Sequence, residues 1–149
     1  MEIKITREKK YSIIVNEEEL NSLIGFLDSQ YTPIEIVTKC NDGSTLTTSK
    51  IEEIINFENS RFRKIEVIEI SFGKSYSQGG NVEFNGKYHF LETCNFTVKD
   101  NDDAKALKVS KEIEARFEEC KTWYSFLTKF PPSLVIPLIY FLYWIPRLC

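Results

Sequence analysis

From Leu134 to Pro146 the chain carries no charged residue, and this run limits what the whole can fold into more than any other feature. Leu134, Val135, Ile136, Leu138, Ile139, Phe141, Leu142 and Ile145 are strongly apolar, and Tyr140, Tyr143 and Trp144 are amphipathic. A helix on the surface of a water-soluble domain needs polar residues at the intervening positions. This segment has almost none, so it is apolar in every direction. At a helix centre each Leu, Ile, Val or Phe favours bilayer insertion by roughly 0.3–0.6 kcal/mol, so the eight together favour it by about 2–5 kcal/mol before Pro and Tyr subtract.

Length argues the other way. Thirteen residues rise only about 20 Å as a helix, against a hydrocarbon core of about 30 Å. Counting Phe130, and letting Arg147 reach back to the interface, brings the span closer to sufficient. Pro131 and Pro132 suit the first turn of a new helix, and Pro137 would kink it, which membrane helices tolerate. Trp123 and Tyr124 on one side and Tyr143 and Trp144 on the other match the aromatic belts of the two membrane–water interfaces. Residues 130–149 are therefore expected to form a membrane segment, which would be the first span of a longer parent if the protein continues past Cys149. Two other placements stay open: burial in the domain's own core, or burial against a partner or a second copy.

Residues 1–129 read as one α+β domain. Charged residues make up 28% and hydrophobic residues 42% of the chain, which is globular and not disordered. The net charge of −3 gives no reason to expect nucleic acid as a partner. The N-terminus, Met1 to Lys10, has no apolar core of a secretory signal, so the domain is expected on the cytoplasmic side of a membrane. Cys40, Cys94, Cys120 and Cys149 are too scattered for a zinc knuckle or a redox pair, and free thiols are expected.

Strands are expected at Glu2–Thr6 and Tyr11–Val15, joined by a charged turn at Arg7–Lys10. Asn16 and Glu19 form a capping box that opens a helix to about Ser29, with Leu20, Leu23, Ile24 and Leu27 as its apolar stripe. Ile34–Cys40 and Ser44–Thr48 read as strands around an Asp42-Gly43 turn. Ser49 and Glu52 suggest a second capping box. Ile65–Phe72 reads as a central strand whose alternation breaks at Val67-Ile68, a sign of a bulge or of burial on both faces. Ser75–Asn81 reads as a hairpin loop, and Asn85-Gly86 as a tight turn before a strand carrying Tyr88, Phe90, Cys94, Phe96 and Val98 on one face. Asp100, Asp102 and Asp103 precede a last helix to about Lys129, with Leu107, Ser110, Ile113, Phe117 and Cys120 on its apolar face. The sum is a mainly antiparallel sheet with helices on one face, followed by a C-terminal hydrophobic helix.

No motif points to a particular reaction, cofactor or metal. Gly73-Lys74-Ser75 lacks the upstream glycine and the following helix of a phosphate-binding loop. His89 and Cys94 stand an odd number of residues apart, which in a regular strand places them on opposite faces. Glu92 shares the apolar parity of its strand, and a bulge that turns it outward explains it without a catalytic role. Arg61, Arg63 and Lys64 could meet anionic lipid headgroups at about 1 kcal/mol each. The expectation from sequence is a non-enzymatic interaction or sensing domain tethered to a lipid bilayer, with a protein partner or self-association. The alternative is a soluble small-molecule-binding domain or enzyme whose tail packs into its own core.

Overall fold

A computed structural model describes residues 2–9, 15–57, 63–75, 77–86 and 94–120. They form β1 (Ile3–Lys9), α1 (Glu17–Gln30), β2 (Ile34–Cys40), β3 (Thr45–Thr48), α2 (Ile51–Ile55), β4 (Ile65–Ser75), β5 (Gln78–Asn85), β6 (Cys94–Asp100) and α3 (Asp103–Glu119). The six strands make one sheet in the order β1-β6-β5-β4-β2-β3, every neighbouring pair antiparallel. The α+β class and the antiparallel sheet expected from sequence are therefore present. The C-terminal hydrophobic segment lies outside the described residues.

Each strand of the sheet sends alternate side chains to one face. Ile34 and Ile36, Ile70 and Phe72, Val82, Phe96 and Val98 meet Leu20, Leu23 and Leu27 of α1 and Ala106, Val109, Ile113 and Phe117 of α3 in a single core. Helix α3 lies across β6 and β1, and α1 contacts α3 and β2. Phe117 sits at the centre, its ring edge-on to Phe84 and Phe96 at 5.4 and 5.7 Å between centroids. Such aromatic pairs add to the area they bury.

Local signals worked where the chemistry is local. Asn16 accepts from the Glu19 amide at 2.9 Å, and the Glu19 carboxylate accepts from the Asn16 amide at 2.9 Å, so the capping box is complete. Asp102 caps α3 by accepting from the Ala104 and Lys105 amides. The second capping box does not form. Thr48, not Ser49, turns the chain: its hydroxyl accepts from the Lys50 amide at 3.0 Å, and α2 starts at Ile51 without a side-chain cap. The apolar face of α3 is also shifted. It runs through Ala106, Val109, Ser110, Ile113 and Phe117, which leaves Leu107 43% exposed.

Three strand limits differ from the sequence reading. The charged residues Arg7, Glu8 and Lys9 are not a turn; they pair with Phe96, Asn95 and Cys94 as the end of β1. An edge strand can carry charges because one side faces water. The supposed loop Ser75–Asn81 is largely ladder, with β5 starting at Gln78. Gly80 fits there because a Cβ would strike the Thr97 carbonyl and the Phe72 ring. Asn85 still belongs to β5, and Phe84 pairs with Cys94, so Asn85-Gly86 is not a two-residue hairpin turn. A bulge is present, one residue before the Val67-Ile68 break where it was expected. Lys39 faces Val67 while Cys40 faces Ile65, leaving Glu66 as the extra residue.

The opposite face of the sheet is polar. In register across five strands it presents Thr6, Thr97, Asn81, Ser71 and Glu35. No described helix packs on it, since α1 and α3 both sit on the core side.

Candidate functional site

The antiparallel register gathers several chain ends at one pole of the domain. Lys9 ends β1 opposite Cys94, Phe84 pairs with Cys94, Asn85 with Val67, and Ile65 with Cys40. Cys120, the C-cap of α3, lines a groove with Val15 and Phe84 at this same pole. Helix α3 thus ends at the pole where β4 begins, and Arg63 and Lys64 immediately precede β4.

Arg63 and Lys64 are both exposed. The Arg63 side chain pairs with Asp42 on the β2–β3 turn at 3.1 Å, and its guanidinium lies 5.8 Å above the Phe57 ring. The Lys64 backbone is fixed instead: its amide donates to Asn41 Oδ1 at 2.8 Å, and its carbonyl accepts from the Asn41 amide at 3.0 Å. Hydrogen bonds from the Ser44 hydroxyl and amide, with the neighbouring Arg63 charge, hold the Asp42 carboxyl down at about 2. Asp42 is ionised throughout the physiological range and offsets one of the two cations. Arg61, Trp123, Tyr124, Tyr143, Trp144 and the apolar residues Leu134 to Ile145 lie outside the described residues, as do His89 and Glu92. No described helix is long and apolar enough to cross a membrane.

The helix side of the same pole is acidic. Glu17, Glu18 and Glu19 open α1, and Glu118 and Glu119 close α3. Between the helices Arg116 acts as a staple. It donates to Ser22 Oγ at 2.5 Å, pairs with Glu112 at 3.0 Å and lies 5.2 Å over the Phe26 ring. Lys9 pairs with Glu114, tying β1 to α3.

The thiols here are unsuited to nucleophilic chemistry. Burial pushes Cys94 up to about 12, although the nearby Lys9 charge pulls the other way. Burial, with the negative charge and a hydrogen bond of Glu19, pushes Cys120 up to about 11. Both are protonated near neutral pH, and the thiolate is the reactive form. Among the described residues no three His, Cys, Asp or Glu side chains gather to hold a metal ion.

Sequence reasoning missed a buried polar cluster at the other pole. The Tyr31 hydroxyl donates to Asp100 Oδ2 at 2.6 Å, the Asp102 amide donates to Asp100 Oδ1 at 3.0 Å, and Lys105 Nζ stands 3.7 Å from Asp100. Lys105 also donates to the Gln30 carbonyl at 3.2 Å and covers the Tyr31 ring at 4.2 Å. Burial pushes the Asp100 carboxyl up, but the Tyr31 and Asp102 hydrogen bonds and the Lys105 charge outweigh it and leave it below its ordinary value. Burial and the Asp100 carboxylate both push the Tyr31 phenol up, so it stays a donor. The cluster joins the end of α1 to the start of α3 and reads as a structural lock.

A carboxyl whose folded value is depressed stabilises the fold above its ordinary value of 3.8, and loses that contribution as pH falls through the folded value. The urea midpoint is therefore expected to fall as pH drops below about 4. Asp100→Asn is expected to flatten that limb and to cost about 1.5–3 kcal/mol at neutral pH. An unchanged acid limb in the variant would remove Asp100 as its source.

No family model, curated protein or solved structure matches this chain. Its function therefore has to be argued from its own residues.

Proposed function

We propose that this protein is a non-enzymatic interaction or sensing module held at a lipid bilayer by its C-terminal hydrophobic segment, with the folded domain on the cytoplasmic side. One observation carries the proposal: the described domain offers the tail no apolar surface large enough to bury it. The core face of the sheet is already filled by α1 and α3. The other face presents Thr, Asn, Ser, Glu and Lys side chains, with Val37 and Val67 as isolated exceptions. The groove lined by Val15, Leu23, Phe84 and Phe117 has a volume of only about 180 Å³. A helix of the tail's length, about 20 Å long and 10 Å wide, occupies on the order of 1,600 Å³. The groove can take one or two side chains of the tail, not the segment.

The position of Arg63 and Lys64 supports the same placement. They stand at the pole where α3 ends, so a membrane-inserted tail would bring them near headgroups. Because Asp42 already neutralises part of this charge, their contribution to anionic lipid binding is expected to be small, about 1 kcal/mol in total.

The test is flotation of the full chain with phosphatidylcholine vesicles, followed by an alkaline carbonate wash. The expected result is protein that floats and resists the wash. Full-length, folded monomer left at the bottom of the gradient would overturn the tether and favour a tail packed within its own domain. A folded dimer left there would favour burial between two copies.

A further inference from the structure

The open polar face holds a feature that the tether does not use. Lys4 of β1 lies directly opposite Lys99 of β6, and Lys99 lies opposite Gly79 of β5. Like charges placed directly across a sheet repel and destabilise it. Neither lysine has an ion pair among the described residues, and neither has Lys74 at the β4–β5 hairpin, beside the same end of the sheet. Three cations without an ion pair among the described residues thus stand at one end of the sheet, on a chain whose net charge is −3.

Lys74 and Lys99 line a depression of about 460 Å³, within the size range of small-molecule sites, and Lys4 stands beside Lys99 just outside that lining. Its floor is main chain. Gly73 and Gly79 both have positive φ, 97° and 148°, and a Cβ on either would strike the backbone of the other's strand. Side chains cannot fill this floor, so a ligand would meet backbone directly. The walls are Lys74 and Lys99 at one end and Ser71, Asn81 and Thr97 beyond them. Glu69 also lines the trough, two residues along β4 from Ser71 and at the end away from Lys99, where it pairs with Lys39 at 3.6 Å. The cationic end and the carboxylate end of the trough are therefore distinct, with Ser71, Asn81 and Thr97 between them.

We propose that this trough binds the anionic group of a small phosphate- or carboxylate-bearing molecule, with Lys4, Lys74 and Lys99 supplying charge and Ser71, Asn81 and Thr97 hydrogen-bonding its body. Gly73-Lys74-Ser75 takes part without forming a phosphate-binding loop: the segment turns into β5 and no helix follows. The inference does not depend on where the tail goes, because the trough lies at the pole opposite Cys120. The ligand could be a soluble anion or a phospholipid headgroup, and the test separates them.

The full chain, labelled for amide NMR in non-ionic micelles, is titrated with inorganic pyrophosphate. In a second arm phosphatidic acid is mixed into the micelles without pyrophosphate. Saturable shifts are expected at Gly79, Asn81, Thr97 and Lys99. Lys99→Gln is expected to weaken binding about tenfold, Lys99→Arg to retain most of it, and the combined Lys4→Gln, Lys74→Gln, Lys99→Gln variant to abolish it while its remaining amide spectrum stays native. Shifts with pyrophosphate support a soluble ligand; shifts only with phosphatidic acid support the site with a headgroup as its source. No saturable shift in either arm, or equal shifts in a natively folded triple variant, would overturn the proposal. If the triple variant fails to fold, Lys99→Gln against Lys99→Arg decides: equal affinity in both overturns it.

Discussion

Phe117→Ala is expected to lower the free energy of unfolding by about 3–5 kcal/mol, the cost of emptying an aromatic site in a packed core. Phe117 is 1% exposed and touches sheet and helix layers at once, with Phe84 and Phe96 edge-on against it. The cavity it leaves is bounded by strands fixed in a ladder, so neighbouring side chains can collapse into it only partly. Domains of this size are stable by about 5–15 kcal/mol, so the loss takes about a fifth of such a margin or more. Urea unfolding of wild type and variant measures it. A loss under about 1 kcal/mol would mean that α3 is not the main cover of β5 and β6. Leu107→Ala on the same helix is the control; its partial exposure predicts a small change.

Replacing both Leu138 and Leu142 by arginine is expected to abolish vesicle flotation. Leucine at a helix centre contributes roughly −0.3 to −0.6 kcal/mol to insertion and arginine about +2.5 to +3.5, so the two changes together oppose it by about 6–8 kcal/mol. That exceeds the 2–5 kcal/mol that all eight apolar residues of the tail supply. The far-ultraviolet spectrum is expected to keep the sheet and helix signature, because α1 and α3 already close the described core against the sheet. A variant that floats like wild type would show that the tail does not hold the protein at the bilayer. Arg63→Gln with Lys64→Gln is expected to change only the added affinity for anionic lipid, since Arg63 is already paired with Asp42.

What could be read from the chain depended on how far apart the interacting residues lie. The Asn16–Glu19 box and the alternating strand Ile34–Cys40 are written within a few positions, and both are present in the structure. The charged end of β1 and the glycine-rich start of β5 were not legible. Their partners, Phe96 and Thr97–Lys99 among them, come from a distant segment, and pairing overrode local turn chemistry. The Tyr31–Asp100 bond spans 69 positions, and no periodicity announces it. The tail lies outside the described residues, and its reading rests on composition alone. Lys4 and Lys99 look like ordinary solvated lysines in sequence, and only the register of β1 on β6 sets them side by side.

If the domain is held at a bilayer as proposed, the two borders of its sheet would have a consequence there. On one side β1 is studded with Lys4, Arg7, Glu8 and Lys9; on the other β3 is only four residues long. Molecules crowded along a bilayer collide edge to edge far more often than molecules free in three dimensions. Charge on one rim and brevity on the other deny such collisions a strand to extend. A domain so bordered, held at a surface, would reach high density without stitching its neighbours into a continuous ribbon.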